Sequence, residues 1–166
     1  MLKLTGEYDH IIDEKNRLFI STKLRSKIDA ETYGPDFVLT LGADGILCLY
    51  PEKCFEAVVA EAAARAGASD ESIEFERLHY ALSSTVEFDR QGRLLINEKL
   101  KKRANLGTEL TLIGARDHIE IWNTADWEQY LRDHAPRYEK QVSEARQVVF
   151  QKQSEHVGII QESQED

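Results

Sequence analysis

The stretch FDRQGRLLINEKL, from Phe88 to Leu100, decides the fold because a weaker copy of it occurs earlier, from Ile12 to Leu24. The two copies keep an aspartate, an arginine four positions later, and apolar residues at matching places. A second shared pattern follows each copy, LTLG at 39–42 and TLIG at 111–114. A repeat on this scale indicates that the chain contains two copies of one structural unit.

Each unit is predicted to form a strand, a tight turn, a second strand and a short helix, and then a hairpin with a helix after it. The first unit holds about four extra residues, most easily placed near 31–36. The predicted strands are 7–12, 17–20, 37–41, 46–50, 84–88, 93–96, 109–113 and 118–122. The predicted helices are 51–67, 70–82, 98–104 and one beginning at 123–124, and residues 21–28 are predicted to form a short helix or a turn.

The turn between the first two strands has the same chemistry in both units. Asp13 and Asp89 open it, and each carboxylate can accept hydrogen bonds from the turn's amides or pair with the arginine four positions later. Asn16 and Gly92 hold equivalent places, and both residue types tolerate a positive φ. We therefore predict one turn shape, used twice, that points its basic side chains outward.

The composition of the 166 residues is that of a soluble globular protein, with 42% hydrophobic and 31% charged residues. No apolar run approaches the roughly 20 residues that a membrane helix needs. Residues 1–6 lack the apolar centre of a signal peptide. We expect no membrane partner and a cytoplasmic location.

Cysteine and histidine usage gives no sign of a metal or disulfide site. Cys48 and Cys54 are too few for a disulfide framework and lack the spacing of a zinc site, so we expect both to be reduced packing residues. The five histidines lie far apart in the sequence and are treated as incidental. We expect no cofactor and no metal.

Positive charge is concentrated in the repeated motifs although the net charge is −9. Residues 89–103 carry six basic and two acidic side chains, and residues 1–27 carry six basic and four acidic ones. The acidic excess argues against a nucleic-acid binder that relies on bulk attraction, whereas the local surplus allows contacts from the repeats. An ordinary mixed surface is the alternative.

Three other interpretations remain open from the residues alone. A structural salt bridge is the commoner explanation for an aspartate and arginine in a turn, and only the duplication favours binding. Trp122 and Trp127 could stack on bases, but core or subunit-interface anchors are the more frequent use of tryptophan at such places. An enzyme is disfavoured, because there is no phosphate loop, nucleophile elbow, metal signature or dinucleotide fingerprint.

The last part of the chain changes character at Pro136, beyond which it is rich in Gln, Glu and Ser with a patchy apolar face. We predict a partner-dependent helix here that frays into a disordered end at 161–166. The predicted organisation is a first repeat at 1–55, connecting helices at 56–82, a second repeat at 83–131 and a polar C-terminal tail at 132–166.

The paired turns, with GRLLI at 92–96, LIG at 112–114 and IEIW at 119–122 before Trp127, resemble the bacterial MraZ family over roughly residues 1–131. The halves of that family are related to AbrB-type swapped-hairpin DNA-binding domains. The resemblance implies an α+β fold in which two tandem units interlock as one β-barrel-like core with peripheral helices. It also implies a nucleoid-associated transcription factor that forms homo-oligomeric rings on direct repeats in its own operon's promoter.

The resemblance and the turn chemistry together select the candidate site residues. Arg17 and Arg93 are the first choices for contacts to double-stranded DNA, with Lys15 and Arg90 beside them. The residues expected to orient the loops are Asp13, Asp89, Asn16 and Gly92. The chain departs from the family pattern where Asn16 replaces a glycine and where Ser21 and Asn97 replace prolines. A scaffold that grips an acidic protein partner with the same arginines is the alternative function.

Overall fold

The computed structural model describes residues 1–67 and 69–162, with side chains described as far as residue 153. Within these residues the chain is α+β, with eight strands, six α-helices and a 3-10 helix at Ala43–Gly45. The strands are β1 (Glu7–Ile11), β2 (Arg17–Phe19), β3 (Phe37–Leu41), β4 (Leu47–Pro51), β5 (Ser83–Val86), β6 (Arg93–Leu95), β7 (Glu109–Gly114) and β8 (Ile119–Asn123). The helices are α1 (Thr22–Arg25), α2 (Ala30–Tyr33), α3 (Glu52–Ala66), α4 (Asp70–Ala81), α5 (Glu98–Arg103) and α6 (Thr124–Glu162).

The predicted strands and helices are confirmed, with small differences at their ends. Among the described strands and α-helices, α2 is the one that the sequence pattern did not predict, and it lies in the segment where the first unit has extra residues. Asp29 caps it by accepting a hydrogen bond from the amide of Thr32 at 2.8 Å. This single turn is too short to show a helical period of apolar residues.

The strand pairing interlocks the two units. Six strands form one antiparallel sheet in the order β1-β7-β8-β4-β3-β5, and β2 pairs with β6 in a separate two-stranded ribbon. Exchanging β1 with β5, β3 with β7 and β4 with β8 leaves both arrangements unchanged. The first strand of each unit therefore pairs with the hairpin of the other unit. The pairing among the described strands leaves the larger sheet open, and a closed barrel is not seen.

The main core lies between the inward face of the sheet and the ribbon. Alternation along each strand places apolar side chains on this face, and each fully buried leucine or isoleucine stabilises the fold by about 1.5–3 kcal/mol. Its least exposed members include Leu18, Leu39, Leu49, Leu94, Leu112 and Ile121. A smaller cluster of Val38, Phe55 and Val59, with Tyr50 against it, lies on the opposite face under α3.

The two hairpins are not equivalent in the register that the sequence alignment suggested. Leu39 lies opposite Leu49, and Leu112 lies opposite Ile121, so Leu39 corresponds to Leu112 rather than to Thr111. Thr111 points to the other face of its strand, where its hydroxyl donates a hydrogen bond to Asp9 Oδ1 at 2.7 Å. Burial of the leucines sets the register, because a shift of one residue would turn every side chain to the wrong face.

Contacts divide the chain into a compact body, Met1–Thr124, which contains both repeat units, and a second body that begins at Ala125. The described part of the second body is the helix α6 after its first residue, and this helix continues across Pro136. A helix was predicted on both sides of this proline, and the change in composition there does not coincide with a break. The predicted disordered end at 161–166 falls mainly on residues 163–166, which lie outside the described residues. No helix in the described part of the chain has the length and apolar character required to cross a membrane.

Candidate nucleic-acid interface

The carboxylate of Asp13 organises the first turn, which we call loop 1 (residues 13–17). Its Oδ1 accepts hydrogen bonds from the backbone amides of Lys15 and Arg17, both at 2.9 Å. Its Oδ2 accepts a hydrogen bond from Arg17 Nε at 2.7 Å. Asn16 has the expected positive φ, at 57°. The bond from the Arg17 amide, followed by the bond from its side chain, lowers the pKa of Asp13, so the carboxylate stays ionised.

The second turn, loop 2 (residues 89–93), repeats this geometry. Asp89 Oδ1 accepts from the amides of Gln91 and Arg93 at 2.9 Å, and Oδ2 accepts from Arg93 Nε at 2.8 Å. Gly92 has a φ of 77°, the counterpart of Asn16. The same hydrogen bonds, first that from the Arg93 amide, lower the pKa of Asp89. Two sequences that differ at three of five positions therefore form one loop.

The backbone joins the two loops to each other. The amide of Ile20 donates to the carbonyl of Gly92 at 3.1 Å, and the amide of Ile96 donates to the carbonyl of Asn16 at 2.9 Å. These bonds continue the pairing of β2 with β6 past the ends of the strands. Each loop is thus held by the strand of the other unit, which fixes the distance between the loops.

Arg17 and Arg93 share the outward face of this ribbon. In the register of β2 and β6, Leu18 lies opposite Leu94, and both leucines are fully buried. Because side chains alternate along a strand, the residues on either side of these leucines point away from the core. Phe19 lies opposite Arg93 on that face.

Both arginines keep part of their guanidinium group available. Their side chains are 35% exposed for Arg17 and 26% exposed for Arg93. In each, Nε is occupied by the loop aspartate, and the described part of the chain provides no hydrogen bond to the two terminal amino groups. A guanidinium held in this way presents two donors in a fixed plane, which suits a phosphate or the edge of guanine.

The two further predicted cations lie at the exposed tips of the loops. Lys15 follows Glu14 in loop 1, and Arg90 precedes Gln91 in loop 2, and all four residues are exposed. Lys15 therefore corresponds to Gln91, and Arg90 corresponds to Glu14. Each loop tip carries one cation, but at a different place in the turn.

Sequence reasoning missed Lys101, a cation of α5 behind loop 1. Its Nζ donates to Asn16 Oδ1 at 2.7 Å, while Asn16 Nδ2 donates to Glu98 Oε1. Asn16 is only 9% exposed, so these bonds satisfy a buried amide. Asn16 was expected only to adopt the positive φ of the turn. Its side chain also connects loop 1 to α5 of the second unit.

Arg25 of α1 is the counterpart of Lys101 behind loop 2. Its guanidinium lies against Gly92, where an added Cβ would come within 2.3 Å of Nη2. Its Nε donates to the carbonyl of Ile20 at 2.9 Å, and it lies 5.7 Å and 5.6 Å from the ring centroids of Phe19 and Phe88. Both cations follow their motif at the same interval, and this shared interval is the sequence signal that could have found them.

Comparison with known proteins gives a consistent result. The model of the family described as "MraZ protein, putative antitoxin-like" matches residues 4–76 and 80–157. A protein of Heliobacterium modesticaldum named "Transcriptional regulator MraZ" is 35% identical over 135 residues, which cover 81% of this chain and 91% of the relative. Proteins of the same name from Pediococcus pentosaceus and Mycoplasmoides gallisepticum are 34% and 39% identical, over 77% and 75% of this chain and 86% and 84% of the relatives.

Proposed function

Because the chain belongs to the MraZ family, we propose that it is a transcriptional regulator that binds double-stranded DNA through loops 1 and 2. One observation carries the proposal. Arg17 and Arg93 lie on the same outward face of a ribbon, each held by an aspartate through Nε, with donors left over for a ligand. The donors of both guanidinium groups that the described residues leave unoccupied favour binding over a salt bridge that serves only to close a turn.

The loop residues have separate roles in this proposal. The two arginines contact base edges or phosphates, and Lys15 and Arg90 add phosphate contacts at the loop tips. Asp13 and Asp89 do not touch the anionic ligand, because both carboxylates are engaged by their own loops. The acidic remainder of the surface discourages binding elsewhere.

Affinity is proposed to arise from many loops acting together. A single loop reaches few phosphates, and each phosphate contact weakens with salt. A ring of several chains would present many loops at high effective concentration on one duplex. We propose that such a homo-oligomeric ring binds direct repeats in the promoter of the protein's own division and cell-wall operon, in the nucleoid of the cytoplasm.

The finer description of the fold belongs to the same proposal. Residues 1–55 and 83–131 act as two AbrB-like repeats, with 56–82 as connecting helices and 132–166 as a tail. The exchange of first strands between the two repeats supports a swapped-hairpin core, for which we propose a barrel-like form. This core sets the spacing at which the two loops meet the DNA.

The test is binding to the DNA upstream of the protein's own gene, with a scrambled duplex for comparison. We expect Arg17→Ala to abolish most specific binding at moderate salt without unfolding the protein. Arg65→Ala is a matched control, because Arg65 also pairs through Nε with an acid four residues away, Glu61 at 2.9 Å, but lies on α3. Undiminished affinity of the Arg17 variant would refute the proposed contact.

A scaffold that uses the same arginines to hold an acidic protein is the second candidate. The exposed cations of both loops favour it as much as they favour DNA. Failure to retard the upstream duplex, together with tight capture of a protein that depends on Arg17 and Arg93, would establish it in place of the first.

A further inference from the structure

A cluster of three potential metal ligands lies where the two units meet at the middle of the sheet. Cys48 of β4 lies directly opposite Glu120 of β8, and His118 comes just before β8. The neighbours of these residues along the strands, such as Leu49 and Ile119, point into the core. The cluster therefore occupies the opposite face of the sheet, far along the chain from either DNA-binding loop.

The three side chains converge on one point. A ring nitrogen of His118, the sulfur of Cys48 and a carboxylate oxygen of Glu120 all lie within 4.8 Å of one another. His118 Nε2 is 3.6 Å from Glu120 Oε1. On a tetrahedral zinc ion with bonds of about 2 Å, two such ligands would be about 3.3 Å apart. Movement of a few tenths of an ångström would bring this pair to ligand distance.

Neighbouring groups already hold two of the three ligands in suitable orientations. Asp117 Oδ1 is 2.9 Å from His118 Nδ1, which leaves Nε2 as the nitrogen that faces the cluster. The indole Nε1 of Trp122 donates to Glu120 Oε2 at 2.9 Å, which leaves Oε1 facing it. A carboxylate behind a histidine and a donor behind a carboxylate are the usual outer contacts of metal ligands.

We propose that Cys48 Sγ, His118 Nε2 and Glu120 Oε1 form a zinc-binding site. Thiolate and imidazole in one set select zinc over the harder cations, and the carboxylate completes three protein ligands. A fourth position would be open to water. A surface cleft of about 620 Å³ is lined in part by Asp117, whose carboxylate contacts the ring of His118.

Hydrogen bonds already connect the charged side chains of the cluster. Burial favours neutral His118, but hydrogen bonds to Cys48, Glu120 and Asp117 outweigh it and raise its pKa to about 10. Glu120 is ionised, because its hydrogen bond with His118 lowers its pKa. A zinc ion bound between these side chains would replace the direct contact between His118 Nε2 and Glu120 Oε1.

Bound zinc would link the two repeat units, because Cys48 belongs to the first repeat and the other two ligands belong to the second. This convergence could not be predicted from the sequence, because Cys48 and His118 are far apart in the chain and only the pairing of β4 with β8 brings them together. The expectation of a packing cysteine and an incidental histidine does not account for their convergence with Glu120.

The test is titration of the full chain with Co²⁺ after treatment with a chelator. The expected result is one ion per chain, with visible cobalt bands and a near-ultraviolet thiolate-to-cobalt band that Zn²⁺ abolishes. Cys48→Ser should lose the thiolate band, and Cys54→Ser should keep it. Absence of a stoichiometric cobalt complex, or a thiolate band that survives in Cys48→Ser, would overturn the proposal.

A second variant tests the site with the buried Cys48 left in place, so that the result does not depend on whether Cys48→Ser folds. Glu120→Gln keeps the size of the side chain and should weaken metal binding by at least about tenfold. Zn²⁺ should raise the midpoint of thermal unfolding of the unaltered chain and of Cys54→Ser, and should raise it less in Glu120→Gln. Equal affinity and equal stabilisation in the Glu120 variant would exclude the carboxylate as a ligand and overturn the site as proposed.

Discussion

Loop 1 and loop 2 have the same hydrogen bonds but different surroundings. In both, an aspartate accepts two amide bonds and one guanidinium bond from the arginine four positions on. Behind loop 1, the side chain of Asn16 reaches Lys101, whereas behind loop 2 the absence of a side chain on Gly92 leaves room for Arg25. The duplicated part of the sequence thus sets the shape of the loop, and the unduplicated part sets how each loop is attached.

The largest expected difference between the loops concerns the residue with positive φ. Gly92→Ala should destabilise the protein by about 1–2 kcal/mol for the left-handed backbone, and more because the new Cβ displaces Arg25. Asn16→Gly should cost about 1 kcal/mol or less, because relief of the backbone offsets the lost hydrogen bonds. Chemical denaturation of both variants measures the two values. Equal losses of stability would show that the contacts behind loop 1 and loop 2 do not differ in strength.

A second comparison concerns pH, where the loops should behave alike. The folded-state pKa values of Asp13 and Asp89 are both lowered, so their contribution to stability is present above the unfolded value of about 4 and is lost as the pH falls through the folded values. Carboxyl resonances followed by NMR should titrate below the ordinary range for both residues. A normal midpoint for either one would show that its loop is open in solution.

The smallest expected effects lie at the loop tips. Lys15→Ala and Arg90→Ala should each weaken DNA binding only slightly and about equally for all sequences. Each should also lower the slope of log affinity against log salt concentration by about 1, as expected for one lost phosphate contact. Affinity measured at several salt concentrations checks this. A change in sequence preference at either position would mean that the tips contact bases.

The parts of the fold that could be predicted from the sequence are those with strong local turn or cap residues. The hairpin of β3 and β4 and the helix α3, which follows Pro51 and ends at Gly67, carry clear turn or cap residues, and the structure has both of them. Local signals could not give the order of the strands, because exchange between units is a choice of partner and leaves no mark within either sequence. Only the resemblance to the MraZ family implied that the two units interlock. The same exchange hid the contacts of Arg25, Lys101 and Cys48.

The most direct test of the central claim is a double-mutant cycle on the upstream duplex, with Arg17→Ala, Arg93→Ala, the double variant and the Arg65→Ala control. If both loops of a chain bind the same duplex, Arg17→Ala and Arg93→Ala should each lower the affinity for DNA by at least about tenfold. The double variant should lower it further. Arg65→Ala should bind as the unaltered chain does. Full affinity in either loop variant, with the fold intact, would contradict the claim that both loops hold DNA.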